Sequence, residues 1–271
     1  GRAGLWRHHS GVHRTVVIPA EVRQLLADEE LGAHITVLDG EAMGAHAAVS
    51  YERGWLTGVP PGFDADDLLA DARALIDREQ NRRVDYDLGS VFMEVLAPPP
   101  SLVIFGAVHA AQALSNLGEQ LGYRVTVVDA RSAFLTEERF PRARRLIGWP
   151  GDVVGDLTFD RRTFVVLLSH DARFEDPVWP LVADVDVKYL GAMGSRRTHA
   201  SRVDKLRAAG WSEEQIERIH GPVGLDLGGE SPEETAVSIL AEMIQVRYGA
   251  GSGLSLRGQA GRIHRQRSEE S

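Results

Sequence analysis

From residue 101 onward the chain alternates short, wholly apolar runs with longer amphipathic stretches. That alternation restricts the fold more than any other feature of the sequence. The apolar runs are "SLVIF" (101–105), "RVTVVD" (124–129), a short "RRLIG" (144–148), "TFVVLLS" (163–169) and "VKYLGAMG" (187–194). Helical periodicity marks 110–122, 198–210, 212–219 and 231–249. A strand that is apolar at nearly every position must be covered on both faces, and repeated strand–helix units achieve this with a parallel sheet between two helical layers. The last helix carries a strong start signal, with Ser231 as N-cap, Pro232 at the first helical position and Glu234 closing a capping box.

The earlier part reads differently. Residues 32–40, 44–52 and 90–97 are strand-like, and 64–81 has Leu68, Leu69, Ala72, Leu75 and Ile76 at helical spacing. "APPPS" (97–101) can continue neither a helix nor a central strand and reads as a linker. The expected organisation is a small α+β domain over 1–97, an α/β domain over 101–248 and a Gly/Ser/Arg-rich tail over 249–271, which is expected to be disordered; residues 1–14 read as flexible. A length of 271 residues agrees with two domains.

With 39 acidic against 30 basic side chains the net charge is −9, which argues against nucleic acid as a partner, since binding there depends on neutralising phosphates. The absence of cysteine excludes disulfides, thiolate catalysis and zinc–thiolate sites. No apolar run is long enough to span a membrane, and the basic N-terminal stretch lacks the apolar core of a secretory signal, so the expected compartment is the cytoplasm.

In an open parallel sheet, ligands lie beyond the carboxyl ends of the strands. The residues following the strands are Gly106, Val108 and His109; Asp129 and Arg131; Ser169, His170 and Asp171; and Gly191, Gly194, Ser195, Arg196, Arg197, Thr198 and His199. Asp129, His170 and Gly191–Arg197 are expected along one edge. The strand–turn–helix at 101–114 resembles a dinucleotide fingerprint, except that Val108 stands where a second glycine would let a pyrophosphate approach. Its β-branched side chain is expected to occupy that space, which makes NAD(P) a doubtful ligand. Asp129, about 20 residues after Gly106, suits a ribose 2′-hydroxyl, or simply ends its strand. "GSRRT" (194–198) pairs a helix N-terminus with two guanidinium groups and reads as the stronger anion seat, the alternative being a solvated arginine pair. His109, His170, Asp171 and His199 have irregular spacing, so no protein-built metal site is expected. His170–Asp171 could move a proton, but no nucleophile is placed by the sequence.

The runs "LVIFGAVHAAQAL…RVTVVDAR…ERFP", "VVLLSHDARFEDP" and "YLGAMGSRRTHASRVDKLRAAGWSEEQIERIHGPVGLDLGGESPEETAVSILAEMI" resemble the C-terminal Rossmann-like domain of the XdhC/CoxI family over about residues 101–248. The resemblance implies an α/β fold, a Rossmann-like doubly wound parallel sheet with a smaller N-terminal α+β domain. It also implies an accessory factor for a molybdenum hydroxylase of the xanthine or carbon monoxide dehydrogenase type, more a cofactor-insertion chaperone than an enzyme. Such a factor binds molybdenum cofactor, protects it while a cysteine-desulfurase-type sulfurase modifies it, and delivers it to the hydroxylase apoenzyme. Family members usually show G-A-G-H where this chain has Gly106-Ala107-Val108-His109, and a Gly-Gly-Cys segment in an N-terminal domain that residues 1–97 match poorly. The candidate cofactor-binding residues are Gly106, His109, Asp129, His170, Asp171, Gly191, Gly194, Ser195, Arg196 and Arg197. Two other readings stay open, an NAD(P)-dependent oxidoreductase and a non-catalytic interaction protein without a ligand; a homodimer is also left open.

Overall fold

The computed structural model describes residues 19–169, 171–249 and 251–258. The chain divides into two compact units at Pro98/Pro99, inside the proline run. The first unit contains α1 (Ala20–Ala27), β1 (Gly32–Val37), β2 (His46–Ser50), β3 (Gly54–Trp55), α2 (Ala65–Asp77), β4 (Arg82–Tyr86) and β5 (Gly89–Leu96). The strands form an antiparallel sheet in the order β3-β2-β1-β5-β4. Alternation along β1 sends Ala33, Ile35 and Val37 to one face, where Leu68, Ala72, Leu75 and Ile76 of α2 cover them. On the other face, Val22 and Leu25 of α1 pack on Ala48 and Leu96. The Asp64 side chain starts α2 by accepting the N–H groups of Asp66 and Asp67.

The second unit contains β6 (Ser101–Phe105), α3 (His109–Gln120), β7 (Arg124–Asp129), β8 (Arg144–Ile147), α4 (Pro150–Val153), β9 (Thr163–Leu167), α5 (Ala172–Glu175), α6 (Trp179–Val182), β10 (Tyr189–Ala192), α7 (Arg196–Ala208), α8 (Glu213–Glu217), β11 (Ile219–His220) and α9 (Pro232–Tyr248). All its strand pairs are parallel, in the order β11-β10-β9-β6-β7-β8. Numbered within the sheet, that is the 3-2-1-4-5-6 arrangement of dinucleotide-binding folds, with the order reversing between β6 and β9. Ile104 lies between Val127 and Val166 in register, and every residue of β9 is buried. Leu114, Ala236, Ile239 and Met243 of α3 and α9 cover one face. Val178, Trp179, Val182, Leu206 and Ile216 of the segments around α5–α8 cover the other.

Several boundaries differ from those expected. α7 starts at Arg196 rather than 198, because Ser195 caps it from outside, and Gly210, in the left-handed region at φ +92°, follows its end. Ile219, expected to end a helix, and His220, expected in the loop after it, instead pair with β10. Ser231 and Glu234 form the expected capping box. Within the expected tail, Leu256–Gly258 makes a 3₁₀ turn; residues 1–18, 250 and 259–271 lie outside the described residues.

Candidate functional site

The reversal of strand order places two loops side by side at the carboxyl ends of β6 and β9. Gly106 has φ +106°, and a Cβ on it would lie 3.2 Å from the Ser169 nitrogen, so this crossing requires glycine. The N–H of Leu168 donates to the Phe105 carbonyl at 2.8 Å, and that of Gly106 to the Val128 carbonyl at 2.9 Å. Loops from three neighbouring strands are thereby tied together.

Asp129 is the brace of this arrangement. It is 0% exposed. Its Oδ1 accepts the N–H and Nε–H of Arg131 at 2.8 and 2.9 Å; its Oδ2 accepts the Ala107 N–H at 2.6 Å and Arg131 Nη2 at 2.7 Å. An ionised carboxylate has about four acceptor positions, and all are used. In this arrangement Asp129 has none left for a ribose hydroxyl, and its contacts hold the loop in position. Burial pushes its pKa up, but the hydrogen bonds from Arg131 and from the two backbone N–H groups outweigh this and hold the carboxyl below its ordinary range. Arg139 grips the same loop from the other side, donating from Nη1 to the Ala107 carbonyl at 3.0 Å and from Nε to Gln112 at 3.2 Å. The Arg139 Nη2 is buried with no hydrogen-bond partner. Phe134, 43% exposed, lies under both Arg131 and Arg139 at 4.5 and 5.8 Å from its ring centre.

Asp171 repeats the device of Asp129. Each opens an Asp-Ala-Arg triplet, Asp129 as the last residue of β7 and Asp171 just past β9, and each takes the N–H and the guanidinium of the arginine two residues on. Asp171 also caps α5, and Arg173 lies 4.4 Å over the Trp149 ring. The Arg173 hydrogen bonds hold the Asp171 carboxyl below its usual range. Its role as found is to start a helix. His170 lies outside the described residues.

The two helix N-termini at this edge differ in how far the chain itself satisfies them. At α7, Ser195 Oγ accepts the Thr198 N–H at 3.1 Å and lies 2.9 Å from Thr198 Oγ1, so the terminus is partly satisfied by the chain itself. Gly194, at φ +145°, lets Thr198 pack against it, since a Cβ would meet the threonine side chain at 2.9 Å. Arg196 and Arg197 are exposed and make no hydrogen bond or ion pair among the described residues. At α3 the N-cap is Val108, which has no side chain to cap with, and no acidic residue stands in the first turn. The first N–H groups of a helix lack internal partners, so α3 offers donors and a positive dipole end that nothing on its own side chains answers. His109 is exposed at the first position. Val108 is half-buried and packs against the α3–α9 cluster, rather than standing over the loop as the sequence suggested.

Gly191 belongs to packing as found, within β10. A Cβ there would come within 2.6 Å of both the Tyr189 ring and Val223. Gly191→Val is expected to cost about 1–3 kcal/mol by overpacking, measured by urea unfolding. Beneath that ring is a polar cluster that the sequence reading missed. Glu242 accepts from the Tyr189 hydroxyl and, at 2.8 Å, from the Gly224 N–H, and lies 3.2 Å from His220 Nδ1. His220 stacks on Tyr189 with ring centres 4.6 Å apart. Burial raises the Glu242 pKa, yet the hydrogen bonds from His220, Tyr189 and Gly224 lower it overall. His199 is half-buried against Gly221, its Nδ1 has no partner, and burial followed by the Arg202 charge pulls its pKa down. Among the described residues, no group of three or more His, Cys, Asp or Glu is arranged to hold a metal ion. No described helix is long and apolar enough to cross a membrane.

Comparison with known proteins bears on this geometry. The family model described as the XdhC Rossmann domain matches residues 102–243. The chain is 31% identical over 159 residues to a probable xanthine dehydrogenase subunit of Bacillus subtilis, covering 58% of this chain and 46% of that one. It is 31% identical over 176 residues to the molybdenum cofactor insertion chaperone PaoD of Escherichia coli, covering 65% and 49%. A third relative, the uncharacterized protein YqeB of Escherichia coli, is 33% identical over 170 residues, covering 62% and 31%. The chain thus spans between about a third and a half of the length of these curated relatives. A crystal structure described as a xanthine dehydrogenase from Bacillus halodurans superposes with a TM-score of 0.51 at 17% identity, covering 87% of this chain and 97% of that one, a likeness of fold.

Proposed function

The chain belongs to the XdhC Rossmann-domain family, and from that premise we propose that it is an accessory factor for a molybdenum hydroxylase which carries molybdenum cofactor as cargo and passes it on. The observation that supports this best is the unanswered N-terminus of α3 at the strand-order reversal, held in place by Asp129 and Arg139. The phosphate end of the cargo fits such a seat, because backbone N–H groups and the helix dipole both favour an anion. Arg196 and Arg197 supply free guanidinium groups on the same edge, and Gly106, Gly194 and Ser195 shape the loops; Asp129 and Asp171 act by positioning them. The commitment of all four acceptor positions on Asp129 favours this cargo over NAD(P), whose ribose needs one of them. The name of the PaoD relative supports insertion of molybdenum cofactor, and that of the Bacillus subtilis relative supports a hydroxylase of the xanthine dehydrogenase type as the recipient. A sulfurase acting on the held cofactor, in the cytoplasm, belongs to the same reading.

His109→Asp tests the seat. A carboxylate at the first helical position takes the place of the ligand's charge. It is expected to stabilise α3 by about 0.3–1 kcal/mol while weakening cofactor binding tenfold or more. Calorimetric titration of parent and variant with molybdenum cofactor, alongside thermal melts, reads both effects. A parent that binds no cofactor, or a variant that binds it equally well, overturns the proposal.

A further inference from the structure

A groove of about 920 Å³ runs along α7 on the face of the sheet that carries α5 and α6. One wall is α7, presenting Arg197, Ser201 and Lys205 at successive turns, and all three are exposed. The floor is Trp179, Arg202 and Leu206, each no more than 5% exposed. Trp211 closes one end, its ring edge-to-face with Trp179 at 6.0 Å. Across the groove stand Glu175 and Asp176. Glu175 is spent on Arg202, whose Nε and Nη2 donate to it at 3.0 and 2.9 Å. The Nη1 of Arg202 is buried without a partner. Arg197 and Lys205 have no ion pair among the described residues. The groove therefore has an unneutralised basic wall and a floor that is apolar apart from the paired Arg202, on a chain whose net charge is −9.

We infer that this groove docks an acidic, extended segment of a partner protein. Side chains one helical turn apart are about 5–6 Å from each other, and alternate side chains of an extended chain are about 6.5 Å apart. Three acceptors at alternate positions of such a segment match Arg197, Ser201 and Lys205 in turn. A single small anion does not: the two cations are eight residues apart on a helix, about 12 Å along its axis. The aliphatic stems between the acids lie on Trp179 and Leu206. The unpartnered Arg202 Nη1 offers a donor for a backbone carbonyl. Asp176 on the far wall repels acid, so only the side of the segment facing α7 carries the negative charge.

The test is a titration of the full chain, followed by tryptophan emission, with a seven-residue peptide alternating Glu and Leu, its Lys-for-Glu counterpart, and inorganic phosphate. The glutamate peptide is expected to give a saturable change that weakens as salt rises, while the lysine peptide and phosphate give none. Lys205→Glu is expected to weaken the glutamate peptide at least tenfold. That residue is on the exposed wall, and circular dichroism is the check that the variant folds. No response to the glutamate peptide overturns the proposal, as does equal binding by Lys205→Glu. Full displacement by phosphate would show a small-anion seat instead and overturn it equally. A cofactor titration that fails leaves these peptide results untouched, so the two readings fail separately.

Discussion

Asp129→Asn is expected to destabilise the second unit by about 3 kcal/mol at neutral pH, although the substitution leaves the shape of the side chain unchanged. An amide has one oxygen and two N–H donors where the carboxylate presents acceptors to four donors. The Ala107 N–H or the Arg131 fork is left facing a donor inside a fully buried site, and an unmade buried hydrogen bond costs about 1–3 kcal/mol, more where a charge is involved. The pH dependence identifies the cause. The folded carboxyl titrates below its unfolded value near 3.8 because the Arg131 and backbone hydrogen bonds outweigh burial. Its contribution is therefore complete above that unfolded value and is lost as pH falls through the folded one. Urea melts of parent and variant should lie furthest apart near pH 7 and converge below pH 4. A gap that stays constant down to pH 2 would mean that the charge of Asp129 contributes nothing.

Arg202→Leu is expected to cost about 3–5 kcal/mol, which is typical of removing one partner from a buried pair. The Arg202 side chain is 4% exposed and that of Glu175 14%. The guanidinium also donates to the Met193 carbonyl at 2.9 Å, tying α5 and α7 to the end of β10. Without it, Glu175 keeps a charge that has little water and no cation. The double substitution Arg202→Leu/Glu175→Leu should recover most of the loss, since replacing both members of such a pair by apolar groups is often nearly neutral. Additive losses in the double variant would show that the two side chains are not coupled.

The parts of the fold that local chemistry specifies were legible in the sequence. Thr163–Leu167 reads as a strand because a strand covered on both faces must be apolar at consecutive positions, and Ser231 and Glu234 read as a helix start because their side chains act on their own backbone. β11 has two residues, too few for any period, and α4, α5 and α6 have four each, barely one turn. The burial of Arg202 and the half-burial of Arg139 were illegible for another reason. Both stand in charged stretches that look like solvated helix faces, and only tertiary packing singles them out. The difference in capping between the two helix N-termini was legible too: no Ser, Thr, Asp or Asn lies between Gly106 and His109, whereas Ser195 precedes α7.

Ala107 is held at both its N–H and its carbonyl, by Asp129 and Arg139, so the loop ahead of α3 has its shape before anything arrives. A mobile loop charges its ligand an ordering entropy and then releases it slowly, because departure waits on the loop loosening. A seat already rigid does neither. Its affinity is the sum of contacts made, and its residence time is set by those contacts alone, so strength and turnover can be traded one donor at a time. For the cargo carrier proposed above, that would make release adjustable at the seat itself, without remodelling the sheet beneath it.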